Sequence, residues 1–140
     1  MKYVLDASVA LKWVLAEPGS DRALALRADF RRGIHTFLAP DVFLAEAGHT
    51  LAKAERRKVI APPQGSILLA DLLTTIPQLR PSLPLLPQAF SIASAFRISF
   101  YDCLYVALAD RESCKLLTAD LRLVHVLQSQ FPFITAIASI

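Results

Sequence analysis

Glycine and cysteine are both scarce in this sequence, and each scarcity excludes a class of protein. Four glycines occur in 140 residues, with no G-x-G-x-x-G or G-x-x-x-x-G-K motif, so the phosphate-binding loops of the common nucleotide-binding modules are missing. The two cysteines, Cys103 and Cys114, form no C-x-x-C metal or redox motif. On one helix their separation would be ~16 Å, too far for a disulfide, and we therefore expect free thiols.

Long apolar runs are also absent. No run is long enough to span a bilayer, and Asp6 and Lys12 interrupt the apolar N-terminus, which fits a strand, a turn and a helix better than a signal peptide. Hydrophobic residues make up 54% of the chain and charged residues 19%, a balance that favours one folded domain over residues 1–140. The formal net charge of +3 gives weak support for a polyanionic partner. We expect a cytoplasmic protein with no membrane segment.

Strand and helix patterns alternate along the chain. Short apolar runs predict strands at residues 2–5, 34–38, 115–118 and 133–137, and helical signals occur at 8–16, 21–32, 40–58, 64–75, 88–97, 102–109 and 121–128. The proline-rich stretch 76–87 fits only a short edge strand, placed at 79–85. Because helices between strands favour a parallel sheet covered on both faces, we predict an α/β fold, a three-layer α/β/α sandwich with a central, mainly parallel sheet of about five strands.

Two carboxylates directly follow predicted strands. Asp6 ends the first strand, and Asp120 stands in the same relation to the strand that ends at Thr118. Open parallel sheets bind ligands outside the carboxyl ends of their strands, which makes both acids candidates for chemistry. Asp6 or Ser8 would also suit the cap of the following helix, so this motif alone leaves capping and catalysis open.

Two further acids lie on predicted helices, one within an apolar stripe and the other at the start of a helix that is expected to be buried. Glu46 shares the apolar stripe of its helix with Val42 and Phe43 and should face the core or a cleft. Asp102 opens a helix that is apolar on almost every side, although an acid is favourable at the start of any helix. A buried carboxylate must be protonated, paired with a basic side chain or bound to a cation.

If these four acids converge, they form an acidic cluster in one cleft. Close like charges resist joint ionisation, and all-oxygen donors suit Mg²⁺ or Mn²⁺, with waters completing the coordination. Such ions orient a water nucleophile and stabilise charge on a phosphodiester. Ser8 and Thr118, each two residues from an acid, are placed to hydrogen-bond a carboxylate or a metal-bound water, although capping or packing explains them equally well. The pattern indicates metal-assisted phosphoester hydrolysis.

Four segments resemble the PIN domain, especially the VapC-type toxins of bacterial and archaeal toxin–antitoxin pairs. They occur in order and span nearly the whole chain: Val4-Leu5-Asp6-Ala7-Ser8-Val9-Ala10, Pro40-Asp41-Val42-Phe43-Leu44-Ala45-Glu46, Phe100-Tyr101-Asp102-Cys103-Leu104-Tyr105-Val106-Ala107-Leu108-Ala109 and Leu117-Thr118-Ala119-Asp120. Each segment is weak alone, and the four together are specific. The resemblance implies an endoribonuclease that depends on Mg²⁺ or Mn²⁺.

The resemblance also implies roles for individual residues. The catalytic and metal-binding acids would be Asp6, Glu46, Asp102 and Asp120, supported by the hydroxyls of Ser8 and Thr118. The implied partners are an RNA substrate, a second copy in a homodimer, and a cognate VapB-type antitoxin that docks near the active site. The chain departs from the family pattern in the proline-rich stretch and after residue 121, where no further acid follows Asp120. The second departure favours one metal ion over a crowded pair.

Other classes of enzyme fit the sequence less well. Phosphotransferases of the haloacid dehalogenase type need a second Asp two residues after the first, where this chain has Ser8. No G-x-S-x-G elbow supports a serine hydrolase, and the three scattered histidines, His35, His49 and His125, lack metal-ligand spacing. A PIN nuclease of RNA processing that is not a toxin, or a catalytically silent PIN-like domain that binds RNA or protein, stays open.

Basic residues supply candidate contacts to RNA phosphates. Lys12 either neutralises the acids or points to solvent. The other candidates are Arg27, Arg31, Arg32, Lys53, Arg56, Arg57 and Lys58.

Overall fold

A five-stranded, all-parallel sheet forms the centre of the protein in a computed structural model that covers Met1–Ile140. Val4 and Leu5 are both fully buried, and because successive strand side chains point to opposite faces, both faces of the sheet are covered. The predicted α/β class with a parallel sheet is confirmed. In the spatial order β3-β2-β1-β4-β5, the strands are β1 (Lys2–Leu5), β2 (Thr36–Pro40), β3 (Gln78–Arg80), β4 (Lys115–Thr118) and β5 (Ile134–Ala136).

Seven helices connect and cover the strands. Helix α6 packs against β1, β2 and β4 and is buried along most of its length, as its apolar sequence predicts. None of the helices has both the length and the apolar character needed to cross a membrane. The helices are α1 (Ala7–Leu11), α2 (Ser20–Arg31), α3 (Phe43–Arg56), α4 (Pro62–Leu72), α5 (Leu86–Phe96), α6 (Phe100–Glu112) and α7 (Leu121–Leu127), with short 3-10 turns at Leu83–Leu85 and Ile137–Ser139.

Helix α1 is shorter than its apolar pattern predicts. It ends at Leu11, whereas the prediction extended to residue 16. Beyond Leu11 the backbone tightens, with the N–H of Trp13 donating to the carbonyl of Ala10. The indole Nε1 of Trp13 then donates to the carbonyl of Ala23 on α2 at 2.9 Å. Helix α1 therefore ends just before Trp13, whose buried indole takes its hydrogen-bond partner from α2.

The boundary between β2 and α3 also differs from the prediction. Pro40 is the last residue of β2 rather than the first of a helix, and α3 begins at Phe43. The N–H of Asp41 donates to the carbonyl of Arg80 at 2.9 Å, so pairing with β3 continues for one residue past the strand. A proline is tolerated there because it lies at a strand end. Apart from α1 and β3, the other elements end within three residues of their predicted bounds.

The proline-rich segment forms an edge strand, as predicted, but a shorter one. Strand β3 covers only Gln78–Arg80 and pairs with β2 alone. The predicted continuation to residue 85 is wrong, because Pro81 and Pro84 have no N–H to donate to a ladder and the chain forms the 3-10 turn instead. Ser82 donates its N–H and its hydroxyl to the carboxylate of Asp41, which fastens this turn to the start of α3.

The order of the strands reverses at β1. The chain moves outward from β1 through β2 to β3 on one side, and continues with β4 and β5 on the other. In open α/β sheets the ligand-binding crevice lies at such a point, outside the carboxyl ends of the two diverging strands. Asp6 follows β1 and Asp120 follows β4, so the topology places both acids at this crevice.

Candidate functional site

A cavity of about 360 Å³ opens at the carboxyl ends of β1 and β4. All four acids singled out from the sequence line it, although they come from four different parts of the chain. Ser8, Lys12 and Thr50 are among the other lining residues. The cavity brings together the carboxylates of Asp6, Glu46, Asp102 and Asp120.

Asp6 is the most buried of the four acids, with 4% of its surface exposed. It occupies the N-cap position of α1, but its side chain accepts no capping hydrogen bond, so capping does not account for this residue. Its Oδ2 instead accepts hydrogen bonds from the hydroxyls of Ser8 at 2.8 Å and Thr118 at 2.7 Å. Burial raises the pKa of Asp6, an effect that these two hydroxyls oppose and the charge of Asp120 reinforces.

The two hydroxyls also join the turns that follow β1 and β4. The Ser8 Oγ accepts from the backbone N–H of Ala119 at 3.0 Å, and the Thr118 Oγ1 accepts from the N–H of Asp120 at 3.0 Å. Each hydroxyl thus donates its hydrogen to Asp6 and accepts an amide hydrogen from the turn that follows β4. This arrangement fixes the Asp6 carboxylate and leaves its Oδ1 without a protein partner.

Glu46 is held by a residue that the sequence alone did not reveal. The buried hydroxyl of Tyr105 on α6 donates to Glu46 Oε1 on α3 at 2.7 Å. Burial raises the pKa of Glu46 to about 7, with Tyr105 opposing this rise and the charge of Asp6 adding to it. Burial also raises the pKa of Tyr105, so the phenol stays a donor at neutral pH. The signal available in the sequence was the one phenol within the apolar run Cys103–Ala109 of this helix, because a buried hydroxyl needs a partner.

Asp102 and Asp120 differ in how the protein uses them. Helix α6 begins at Phe100, two residues before the predicted start, so Asp102 lies within its first turn and not at the cap. Burial is the main cause that raises the pKa of Asp102 to about 7. The charges of the other three acids add to this rise, and the charge of Arg122 opposes it. Asp120 does cap its helix: its Oδ1 accepts from the N–H groups of Arg122 and Leu123 at 3.0 and 3.3 Å.

None of the four carboxylates forms an ion pair with a basic side chain. The nearest candidate, Lys12, lines the cavity, but its ammonium lies 4.0 Å from Glu17 and forms its ion pair there. Four acids in one small cavity, none of them in an ion pair, repel one another and raise one another's pKa values. The arrangement is therefore completed either by protons or by a cation from solution.

The donor set fits a hard divalent cation that keeps part of its water shell. No group of three or more histidine, cysteine, aspartate or glutamate side chains is arranged to hold an ion directly. Mg²⁺ is usually bound through one or two carboxylates, with waters completing the octahedron, and carboxylate oxygens are the donors that Mg²⁺ and Mn²⁺ prefer. None of the three histidines lines the cavity, so a zinc-like nitrogen site is not built here.

The candidate phosphate contacts separate into two groups. Arg27 is buried: its guanidinium donates to Thr75 at 2.9 Å and to Asp71, and stacks 4.9 Å from the centroid of Trp13. Arg31 donates to the hydroxyls of Thr74 and Thr75, and Arg32 is paired with Asp29. Arg27 and Arg31 thus join α2 to the residues that follow α4, whereas Arg32 pairs only with a residue three positions earlier in the chain. The second group has no side-chain hydrogen bond or ion pair and consists of Lys53, Arg56, Arg57 and Lys58.

Sequence comparison identifies relatives over most of the chain. The family profile of the PIN domain matches residues 3–127. Ribonuclease VapC3 of Pyrobaculum aerophilum is 30% identical over 127 residues, which are 89% of this chain and 94% of that protein. Ribonuclease VapC1 of Mycobacterium tuberculosis is 34% identical over 120 residues, which are 86% of each chain.

Structural comparison agrees with the sequence comparison. The crystal structure of PAE2754 from Pyrobaculum aerophilum superposes with a TM-score of 0.71 at 19% identity, covering 99% of this chain and 85% of that one. The structure of VapBC2 from Rickettsia felis, bound to a DNA fragment from its promoter, gives a TM-score of 0.67 at 15% identity and covers 97% of both chains. At these identities the two structures support the fold alone.

Proposed function

Because this chain belongs to the PIN domain family, we propose that it is a divalent-metal-dependent endoribonuclease and the toxin of a VapBC-type toxin–antitoxin pair. The observation that carries the proposal is the cavity between β1 and β4. Its four carboxylates converge from four parts of the chain and have no cationic partner in the protein. Both relatives identified by sequence are named as ribonucleases, which supports RNA as the substrate.

The proposed metal-binding residues are Asp6, Glu46, Asp102 and Asp120, and the proposed ion is Mg²⁺ or Mn²⁺. Such an ion would supply a polarised water and stabilise negative charge on the phosphodiester. The chain itself supplies the orientation. Ser8 and Thr118 fix one oxygen of Asp6 and leave the other free.

Glu46 and Asp120 contribute in the same way. Asp120 uses one oxygen to cap α7 and retains the other, and the Tyr105 hydroxyl holds one oxygen of Glu46. Each of these carboxylates therefore presents one unused oxygen from a fixed side chain. Because pre-positioned groups need no reorganisation when a substrate binds, this arrangement favours the hydrolysis of a phosphodiester.

The proposed partners follow from the family. The VapBC2 complex supports a cognate antitoxin of the VapB type, and we propose that this chain forms a homodimer as well. A cytoplasmic location suits an RNA substrate, and the two free cysteines, Cys103 and Cys114, suit a reducing compartment.

The nuclease proposal is tested by RNA cleavage with Mg²⁺ or Mn²⁺ against EDTA, using total RNA from the host and the variant Asp6→Asn. We expect metal-dependent cleavage that Asp6→Asn abolishes. Asp110→Asn is the matched control, because it makes the same Asp-to-Asn change at an exposed position outside the acidic cavity. The Asp110 carboxylate, on α6, accepts one hydrogen bond, from Gln88. Cleavage that persists in EDTA, or a fully active Asp6→Asn protein, would refute the mechanism.

The toxin assignment needs a separate experiment. Expression of the wild-type chain should arrest growth, and co-expression of a small protein encoded beside its gene should restore it. The Asp6→Asn variant should be harmless. If the wild-type chain is also harmless while it cleaves RNA in vitro, the toxin assignment is wrong and the nuclease assignment stands, which would favour a PIN nuclease of RNA processing.

A further inference from the structure

A second cavity continues from the acidic one along helix α3. It has a volume of about 510 Å³ and shares Glu46 and Thr50 with the acidic cavity. Its other lining residues are Val42, Ala45, His49 and Tyr101. We call this cavity the α3 groove. Because the two cavities share residues on α3, the α3 groove adjoins the acidic cavity, within reach of a chain bound at the acids.

An exposed aromatic ring stands in the α3 groove. Tyr101 immediately precedes Asp102 in the sequence and keeps 55% of its surface accessible to solvent. Its ring contacts that of Phe100 edge to face, with centroids 6.3 Å apart. An accessible aromatic ring of this kind stacks with nucleobases of any sequence, because every base has a π face.

Beyond the groove, the same face of α3 becomes basic. Glu46, His49, Lys53 and Arg56 follow one another at intervals of three or four residues, so they lie in one row along the helix. The helical rise places Lys53 ~10 Å and Arg56 ~15 Å from Glu46 along the axis. The row therefore leads from the acidic cavity to the carboxyl end of α3.

The basic residues at the end of this row have no partners within the protein. Lys53, Arg56, Arg57 and Lys58 make no side-chain hydrogen bond or ion pair, in contrast to Arg27. Glu55, the acid among them, directs its carboxylate against Gly65 of α4, so closely that a Cβ at Gly65 would lie 2.0 Å from Glu55 Oε2. Complementing the helix dipole would account for positive charge at this helix end, but not for its alignment with Glu46 and the groove.

From these observations we infer that the α3 groove is the path of a single-stranded RNA segment that flanks the scissile phosphodiester. A base stacks on Tyr101, and the phosphates that follow contact Lys53 and Arg56. This inference rests on the proposed ribonuclease function and adds to it the direction in which the substrate leaves the acidic cavity. Basic side chains bind RNA phosphates without reading sequence, so the path contributes affinity for RNA of any sequence.

The test is binding of a short, mixed-sequence, single-stranded RNA in EDTA, followed by fluorescence anisotropy between about 50 and 200 mM salt. The variant Lys53→Ala/Arg56→Ala should bind more weakly, and the slope of log K against log salt should become shallower by about 0.7 for each lost phosphate contact. The matched control is Arg111→Ala/Lys115→Ala. It removes the same charge from two exposed residues, at the end of α6 and the start of β4 that lie away from the acids. This control should leave the slope of log K against log salt unchanged.

The role of Tyr101 is tested in the same assay. Tyr101→Ala should weaken binding roughly 5- to 150-fold, the range measured for the loss of one stacked base, with no change in the salt slope. Tyr101→Phe keeps the ring and should bind like the wild type. Equal binding by Tyr101→Ala and Tyr101→Phe would overturn the stacking contact.

Two further outcomes would overturn the path itself. One is a Lys53→Ala/Arg56→Ala variant that keeps the wild-type slope, or that loses no more affinity than the control pair. The other is obtained by testing the same proteins for binding to a polyglutamate peptide. If Lys53→Ala/Arg56→Ala loses binding to this peptide while its RNA binding is unchanged, the basic row is a surface for an acidic protein. Metal-dependent cleavage by the wild type alongside either result would leave the nuclease proposal intact, whereas a wild type that neither cleaves nor binds RNA would refute both proposals.

Discussion

The metal-free protein should lose stability as the pH rises from about 5 to 8. Most proteins whose acids form ion pairs are instead destabilised by acid. The difference originates in the acidic cavity, where burial and mutual repulsion raise the pKa values of Glu46 and Asp102 to about 7. Both acids have ordinary pKa values in the unfolded chain. Between about pH 5 and 8, the folded protein therefore binds more protons than the unfolded chain.

The sign of the effect follows from this proton balance. Where the folded state binds more protons, the free energy of unfolding falls with rising pH. The stabilisation is fully present below the unfolded pKa values, near 4, and is lost as the pH passes through the folded values, near 7. The raised pKa of Asp6 acts in the same direction.

The magnitude can be worked from the two values. Each pH unit between a folded and an unfolded pKa corresponds to about 1.4 kcal/mol, so the interval from pH 5 to 7 corresponds to up to ~3 kcal/mol for one group. Glu46 and Asp102 are only partly buried, and solvent screening of half-exposed charges reduces their contribution. Part of the rise at Asp102 is also repulsion from Glu46, which disappears when Glu46 is protonated. We therefore expect a combined loss of about 2–4 kcal/mol.

Urea denaturation in EDTA measures this loss directly. The chain has one tryptophan, and Trp13 is buried with 6% of its surface exposed, so its fluorescence reports unfolding of the core. The control is Glu46→Gln/Asp102→Asn, which keeps the shapes of both side chains and removes their titration. Its free energy of unfolding should vary less with pH than that of the wild type. A wild-type stability that rises with pH, or a slope equal to that of the control, would refute the reasoning.

Three further predictions concern single side chains. Asp6→Asn should stabilise the metal-free protein by ~0.5–2 kcal/mol in urea denaturation at neutral pH while abolishing RNA cleavage, because it removes an uncompensated buried charge; a less stable variant would contradict this account. Tyr105→Phe should weaken Mn²⁺ binding by about tenfold in a calorimetric titration, as expected when a carboxylate loses one hydrogen bond. The same change made in a Glu46→Gln background should have little further effect, and additive losses would show that Tyr105 does not act through Glu46. Arg27→Ala should lower the free energy of unfolding by about 2–4 kcal/mol, because it leaves buried partners unsatisfied, whereas Arg56→Ala should change it by less than ~0.5 kcal/mol; equal effects would contradict their assignment to different roles.

Much of the fold could be predicted because local patterns and topology agree. An apolar run followed by an acid and a helix occurs at Asp6 and again at Asp120, and parallel strands bring such positions to one edge of the sheet. Glu46 could be assigned inward from its helical stripe alone. The extents of α1 and β3 could not be predicted from periodicity, because they depend on the Trp13 hydrogen bond to α2 and on prolines that interrupt a ladder.

Side-chain partners were the part that the sequence did not reveal. Tyr105 and Glu46 are separated by 59 residues, and no spacing rule connects positions on two different helices. Arg27 is a second residue whose side-chain partners the sequence did not reveal. The sequence made it a candidate phosphate contact, whereas the structure buries its guanidinium against Trp13 and Thr75. Charge type alone cannot distinguish an arginine that supports the fold from one that is free to bind phosphate.

The unpaired carboxylates also have a consequence for how such a chain changes over generations. Four acids that repel one another in a small cavity oppose folding, so mutations that neutralise one of them meet no resistance from the stability of the protein. Inactive variants of a growth-arresting enzyme would therefore arise readily and fold well. A lineage selected only for a folded chain would lose these acids by drift.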